Sequence, residues 1–380
     1  MPRLLALSLY LLGSALPAAE TVVILPFFNL SNNPKIAWIG ESIAESLHEA
    51  LAGEGLTVVD RDLRQQAVQR LGFRSNAVLT RASIMRLGQI IEAGRVVWGT
   101  FEVSENTASG SKATVNITGH VIDLEARQQA PAFSVLGALD DLAELQTGLA
   151  WQTLRYAAPE AALAEETFRG RRPKIRVDAI ESYVRGLLAA DETQKHRLFA
   201  QAARLDPNYP QPCFQLGRLQ WLKEDFKVAA EWFGRVTPAE PHFLEARFYL
   251  GLCRYYLADY AAAAVAFQVV AEKHPAAEVL NNLAAAQARL DSPQALENFR
   301  KALAANQGDP DYHFNLGFTL WRRGDFEAAA DRFRAALDRA SDDEEATVFL
   351  GRCIKRTGPR TGDPSREGLE RLKEEYPAKR

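Results

Sequence analysis

The feature that most constrains this chain is a recurrence of 33 or 34 residues in its second half. Aligned on a small residue that follows leucine, five segments fall in step: FQLG ending at Gly217, FYLG at Gly251, NNLA at Ala284, FNLG at Gly317 and VFLG at Gly351. A shorter unit, YVRG ending at Gly186, precedes them. Sixteen residues after Gly217, Gly251 and Gly317 come Phe233, Phe267 and Phe333, and four residues before these stand Ala229, Ala263 and Ala329. A pair of helices explains the pattern: the small residues allow close approach, and each phenylalanine fills the space between neighbours. Pro207, Pro241, Pro275 and Pro310 are expected to stop the second helix of each pair. One such pair cannot bury its apolar face alone, so five in register require a stacked array.

These motifs resemble the tetratricopeptide repeat family. The resemblance implies an all-α, right-handed superhelical solenoid over residues 178–358, about five repeats and a half, whose first helices line a concave face. Repeat four departs in carrying Ala284 for glycine, and the first unit is short between Gly186 and Phe199. Beyond it, Leu369, Leu372 and Tyr376 stand at helical spacing among charges, which predicts a solvating cap helix within a tail at 359–380.

Residues 20–165 have another rhythm. TVVILPF reads as a buried strand, KIAWIGESIAESLHEALAGEG as an amphipathic helix with Ile39, Ile43, Leu47 and Leu51 on one face, and LTVVDR as a second strand. Two short helices follow, the second opened by Thr80 as N-cap. RVVWGTFEVSE and KATVNITGHVIDLEA alternate as strands around a hairpin loop, and LDDLAELQTGLAWQTLRYAA closes with a helix. The result is a small α/β domain of mixed sheet. Pro26 is expected to end the first ladder, one of Phe27 and Phe28 to pack under the next helix, and Asn29 and Ser31 to organise the turn. The ordered motifs VxILPFxNLS, GESIAESL, LTVVDR, VVWGTF and VxIxGxVIDLE resemble the TolB amino-terminal domain family, which implies a non-catalytic docking domain. The β-propeller that follows this domain in TolB itself is missing, so no role in that envelope system is carried over.

Residues 1–19, with Arg3, an apolar Leu4–Leu12 core and Ala18–Ala19, have the layout of a signal peptide. Export to the periplasm or beyond is the expectation, and without a cysteine at the junction no lipid attachment is expected there. A net charge of −3 and a pI near 6.2 give no reason to expect nucleic acid. Cys213, Cys253 and Cys353, odd in number and far apart, read as buried free thiols. Arg169, Arg171, Arg172, Lys174 and Arg176 fall in a stretch at 166–177 that reads as a solvated basic linker, with contact to an anionic surface as the alternative.

The residues after VVILPF contain neither GxxxxGK[ST] nor GxGxxG, and SGSK at 109–112 sits between strands, as a hairpin turn does. No two of the six histidines stand three or four apart, no GxSxG elbow occurs, and Asp342–Glu345 suits a helix start. The chain therefore reads as a non-enzyme without cofactor or metal. Its expected work is binding protein or peptide on the concave face, with the α/β domain docking to an envelope component. A small-molecule sensor domain that modulates the repeats is the second reading. Candidate groove residues are Phe214, Arg218 and Trp221 in one repeat and Phe248, Leu252 and Tyr255 in the next. Asn281, Asn282 and Arg289 follow, then Phe314, Asn315, Phe318 and Trp321. Asn282 and Asn315 occupy matching positions, where either a peptide backbone or the solenoid itself can use their amides.

Overall fold

The computed structural model describes residues 21–31, 33–72, 79–104, 113–238, 240–359 and 370–377. Two compact units divide the chain, Met1–Tyr209 and Pro210–Arg380.

The first unit begins with β1 (Thr21–Ile24), β2 (Phe28–Asn29), α1 (Trp38–Gly53), β3 (Thr57–Val58), α2 (Arg61–Arg70) and α3 (Arg81–Ile90). Then come β4 (Arg95–Ser104), β5 (Thr114–Asp123), β6 (Gln128–Gln129), β7 (Phe133–Ala138) and α4 (Leu142–Ala157). In the mixed sheet, β1 lies parallel between β3 and β4, while β5 runs antiparallel to β4, β6 and β7. Thr80 caps α3 as expected, accepting from Ser83 N. The proposed SGSK hairpin turn lies outside the described residues, although Ser104 and Thr114 on either side of it are paired. The strand β7 was not foreseen: PAFSVLG carries three turn-forming residues in seven, and its ladder is supplied by β5.

The stretch VVILPFFNLS shows why β1 stops. Leu25 N still donates to Val97 O at 2.8 Å, then Pro26 interrupts, and Phe27 N turns to Gly40 O at 3.1 Å. A Cβ on Gly40 would lie 2.1 Å from Phe27 O, so only glycine lets α1 cross the strand exit there. Phe27 is the buried member of its pair and Phe28 is half-buried. Asn29 Oδ1 accepts from Ser31 N at 2.8 Å, and Ser31 Oγ accepts from Val103 N at 2.7 Å.

In the basic stretch Arg169, Arg171, Lys174 and Arg176 are exposed, while Arg172 is half-buried. Residues Glu165–Gly170 form α5, Phe168 is buried, and Arg172 lies 3.5 Å over its ring. Each cation meets a carboxylate: Arg169 with Glu165, Arg171 and Arg172 with Glu54, Lys174 with Glu144, Arg176 with Asp178. The exposed pairs among these stabilise little, but together the carboxylates offset the positive field that an anionic surface would need. The unit ends with α6 (Val177–Leu188) and α7 (Glu192–Leu205). This first hairpin packs through α6 on α1 and belongs by its contacts to the α/β unit, although the repeat pattern counts it with the solenoid.

In the second unit the helices are α8 (Gln211–Trp221), α9 (Phe226–Gly234), α10 (Phe243–Tyr256), α11 (Tyr260–Lys273) and α12 (Ala277–Arg289). They continue as α13 (Gln294–Ala305), α14 (Pro310–Arg322), α15 (Phe326–Leu337) and α16 (Glu344–Ile354). The glycine–phenylalanine pairs meet as the spacing predicts. A Cβ on Gly217 or Gly251 would stand 2.6 or 2.7 Å from the ring of Phe233 or Phe267. Asp225, Asp259 and Asp325 cap the second helices by accepting from Val228, Ala262 and Ala328 N. The turns inside repeats two to four place Glu224, Ala258 and Asp291 at φ 58, 59 and 52°, where repeat five has Gly324. Pro310 does not stop a helix: α13 ends at Ala305, and Pro310 opens α14, where a missing N–H costs nothing. The three cysteines are buried and free, and burial pushes the Cys253 and Cys353 thiols up to about 12 and about 11.

The cap helix is the main correction. Residues 370–377 contain no helix, and Leu369 lies outside the described residues. The segment instead runs extended along the first helices of the repeats.

Candidate peptide-binding groove

The asparagines of NNL and FNL hold this segment by its backbone. Asn315, on α14, donates from Nδ2 to Arg371 O at 2.7 Å and accepts at Oδ1 from Arg371 N at 2.7 Å. Asn282, on α12, repeats the arrangement on Lys373, with distances of 2.7 and 2.9 Å. Between them, Asn281 Nδ2 donates to Arg371 O at 2.9 Å, and its Oδ1 accepts from Asn315 Nδ2 at 2.8 Å. All three asparagines are fully buried. An amide side chain that answers both N–H and C=O of one residue acts as a strand edge of unit length, and each such bond contributes about 0.5–1.5 kcal/mol.

The side chains of the segment are read as well. Glu370 enters a pocket where Arg289 Nε donates to its carboxylate at 2.6 Å, Tyr255 OH at 2.7 Å and Arg322 Nη1 at 3.5 Å. Its side chain is 0 % exposed and that of Arg289 4 %. Burial pushes the Tyr255 hydroxyl well above its ordinary pKa, and the Glu370 charge adds to that. The next residue faces the opposite sign. Arg371 forks onto Asp343 at 2.6 and 2.8 Å, reaches Glu345 at 3.0 Å and Asp311 at 3.3 Å, and lies 3.6 Å over the Phe314 ring. Its guanidinium holds the Asp343 carboxyl below the usual range. Lys373 bonds Asp309 and Asp311 at 3.0 and 2.7 Å. Burial disfavours the lysine's charge, but those carboxylates outweigh it and raise its pKa. Further along, Glu374 accepts from Tyr256 OH at 2.5 Å, Tyr376 sets its edge against Phe248, and His274 Nε2 lies 3.1 Å from Pro377 O.

Of the residues singled out from sequence, Asn281, Asn282, Asn315, Arg289, Tyr255, Phe248 and Phe314 touch the segment. Leu252 and Phe318 are buried in the repeat core. Trp321 is also buried there, and its Nε1 donates to Thr357 O at 2.7 Å. Trp221 packs among Phe226, Tyr249 and Tyr256, while Phe214 stacks on His242 at 4.5 Å with Arg218 6.0 Å from its ring. Sequence reasoning missed the acidic wall of Asp309, Asp311, Asp343 and Glu345. Two of these are helix caps: Asp309 accepts from Asp311 N and Asp343 from Ala346 N. A cap is read locally, and nothing local marks its second use. Asp343 does fall within the acidic helix start foreseen at Asp342–Glu345.

In the α/β domain, the end of β1 is filled by an ion cluster. Arg64 donates to Ile24 O at 3.0 Å and to Glu41, which also accepts from Arg61 at 2.8 Å. Burial raises the pKa of the adjoining Glu45.

Stacked helical pairs with an occupied groove define a repeat protein of the interaction-scaffold class. The tetratricopeptide repeat family profile matches residues 283–344 and 315–357, so the repeats across that span are tetratricopeptide repeats. A second profile, that of the FlgO protein, matches residues 5–128, where the TolB-like resemblance was read. No curated protein matches the chain. Among solved structures it is similar to MamA 41-end from Desulfovibrio magneticus RS-1, at 23% identity and a TM-score of 0.38, over 42% of this chain and 92% of that one. YrrB, described as a TPR protein with an unusual peptide-binding site, aligns at 17% identity and a TM-score of 0.36, over 42% and 84%.

Proposed function

We propose that this chain is an exported, non-catalytic scaffold that binds an extended protein segment in the repeat groove, while its α/β domain docks to an envelope component. The observation that carries the binding half is the asparagine clamp, which holds the backbone of residues 371 and 373 at both N–H and C=O. Backbone capture of this kind accepts an extended strand, and flanking pockets select its side chains. Support for export comes from the signal-peptide layout of residues 1–19.

A photo-crosslinking residue in place of Tyr256, at the groove's edge, tests the binding half in cells. A discrete protein adduct that disappears when Asn282→Ala and Asn315→Ala are added is the expected result. An adduct insensitive to both substitutions overturns the groove reading. Recovery of the intact amino terminus in the cytoplasmic fraction overturns export.

A further inference from the structure

We infer that the groove's external partner is an extended segment of another protein carrying an acidic residue followed one and three positions later by basic residues, and that it displaces the chain's own tail. This rests on the groove reading above and adds the identity of the ligand. The groove is not a uniform trough. At one point two arginines and a tyrosine hydroxyl converge on a single carboxylate that is fully enclosed. Next to it, carboxylates from the starts of α14 and α16 converge on two cations. The clamp fixes the register between these zones, because the residues it grips are the two basic ones. A ligand shifted by one residue would bring Arg289 and Arg322 against a cation, and like charges brought together and desolvated cost several kcal/mol. The order acid, base, any residue, base is thus written into the groove, and Glu370, Arg371, Leu372 and Lys373 fulfil it.

The tail is tethered, so it competes at an effective concentration in the millimolar range for a short linker. An outside ligand of equal intrinsic affinity is therefore excluded until the tail is drawn away or outnumbered.

The test uses the full chain in two forms, wild type and a tail variant carrying Glu370→Arg, Arg371→Glu and Lys373→Glu. The probe is a fluorescent synthetic peptide with the sequence of residues 368–380, beside a second peptide with the same three charges reversed. Polarisation is expected to show the natural peptide bound by the tail variant at least tenfold more tightly than by wild type, and the reversed peptide not bound by the variant. Equal binding of both peptides to the variant overturns the charge code but leaves the groove reading standing. Equal binding of the natural peptide to both chains overturns displacement. If the variant binds neither peptide although its circular dichroism is native, the groove reading itself fails. Hydrogen exchange on the wild-type chain covers a misfolded variant: excess natural peptide must deprotect the amides of Arg371 and Lys373. Wild-type dimers whose tails exchange in light scattering would make a second copy the occupant and overturn the proposal.

Discussion

Replacing Glu370 with glutamine isolates the charge at the centre of the groove. The change keeps the shape of the side chain and removes the partner of Arg289, whose own side chain is 4 % exposed. Breaking one side of a buried pair costs about 3–5 kcal/mol when the structure has no escape. Here it has one, because the tail can leave and let both arginines hydrate. The cost therefore appears as local release and not as global unfolding. A loss of about 3 kcal/mol corresponds to roughly a hundredfold fall in protection. The amides to follow by hydrogen exchange are those of Arg371 and Lys373, each of which donates to an asparagine side chain. Their protection should collapse while amides within α12 and α14 keep theirs. Unchanged protection at both amides, or equal loss throughout α12 and α14, would refute the argument that this buried charge anchors an independently releasable segment.

Tail retention should also depend on acid. Asp343 is held below its ordinary pKa of 3.8 chiefly by its hydrogen bonds to Arg371, so its contribution is complete above that value and lost as pH falls through the lowered one. The Arg371 amide resonance should therefore stay put from neutrality to pH 5 and shift toward its free position only in stronger acid. Ala258→Gly relieves a residue at φ 59° and should raise stability by about 0.5–1 kcal/mol in urea denaturation. Gly251→Ala drives a methyl to 2.7 Å from the Phe267 ring and should lower stability by about 1–3 kcal/mol, whereas Gly234→Ala, which meets open space, should stay within about 1 kcal/mol of wild type.

The repeats were legible because their cause is repetitive: a glycine meets a phenylalanine in four of the helix pairs, and that leaves a period. The asparagines were legible in part, since Asn282 and Asn315 match in register, but sequence left open whether a peptide or the solenoid would use them. What covers them was not legible. Leu369, Leu372 and Tyr376 fit helical spacing, yet Glu370, Leu372, Glu374 and Tyr376 also alternate as an extended strand does. Eight residues cannot decide between the two locally. The decision lies in amide groups some 55 to 90 residues away in sequence, which supply the segment with hydrogen bonds a helix would have made internally. The ion-pair partners of the basic stretch were not legible for a related reason. They include Glu54 and Glu144, whose position beside it belongs to the fold and not to the neighbouring residues.

The clamp also sets a gear ratio. Asn315 grips residue 371 and Asn282, one repeat earlier, grips residue 373, so one step along the solenoid is two residues of ligand, taken in the opposite direction. The side-chain period of an extended strand is likewise two. The two repeats that carry the clamp therefore meet the same face of the bound chain, and inserting a further repeat with asparagine at this position would lengthen the message by a dipeptide without shifting its frame.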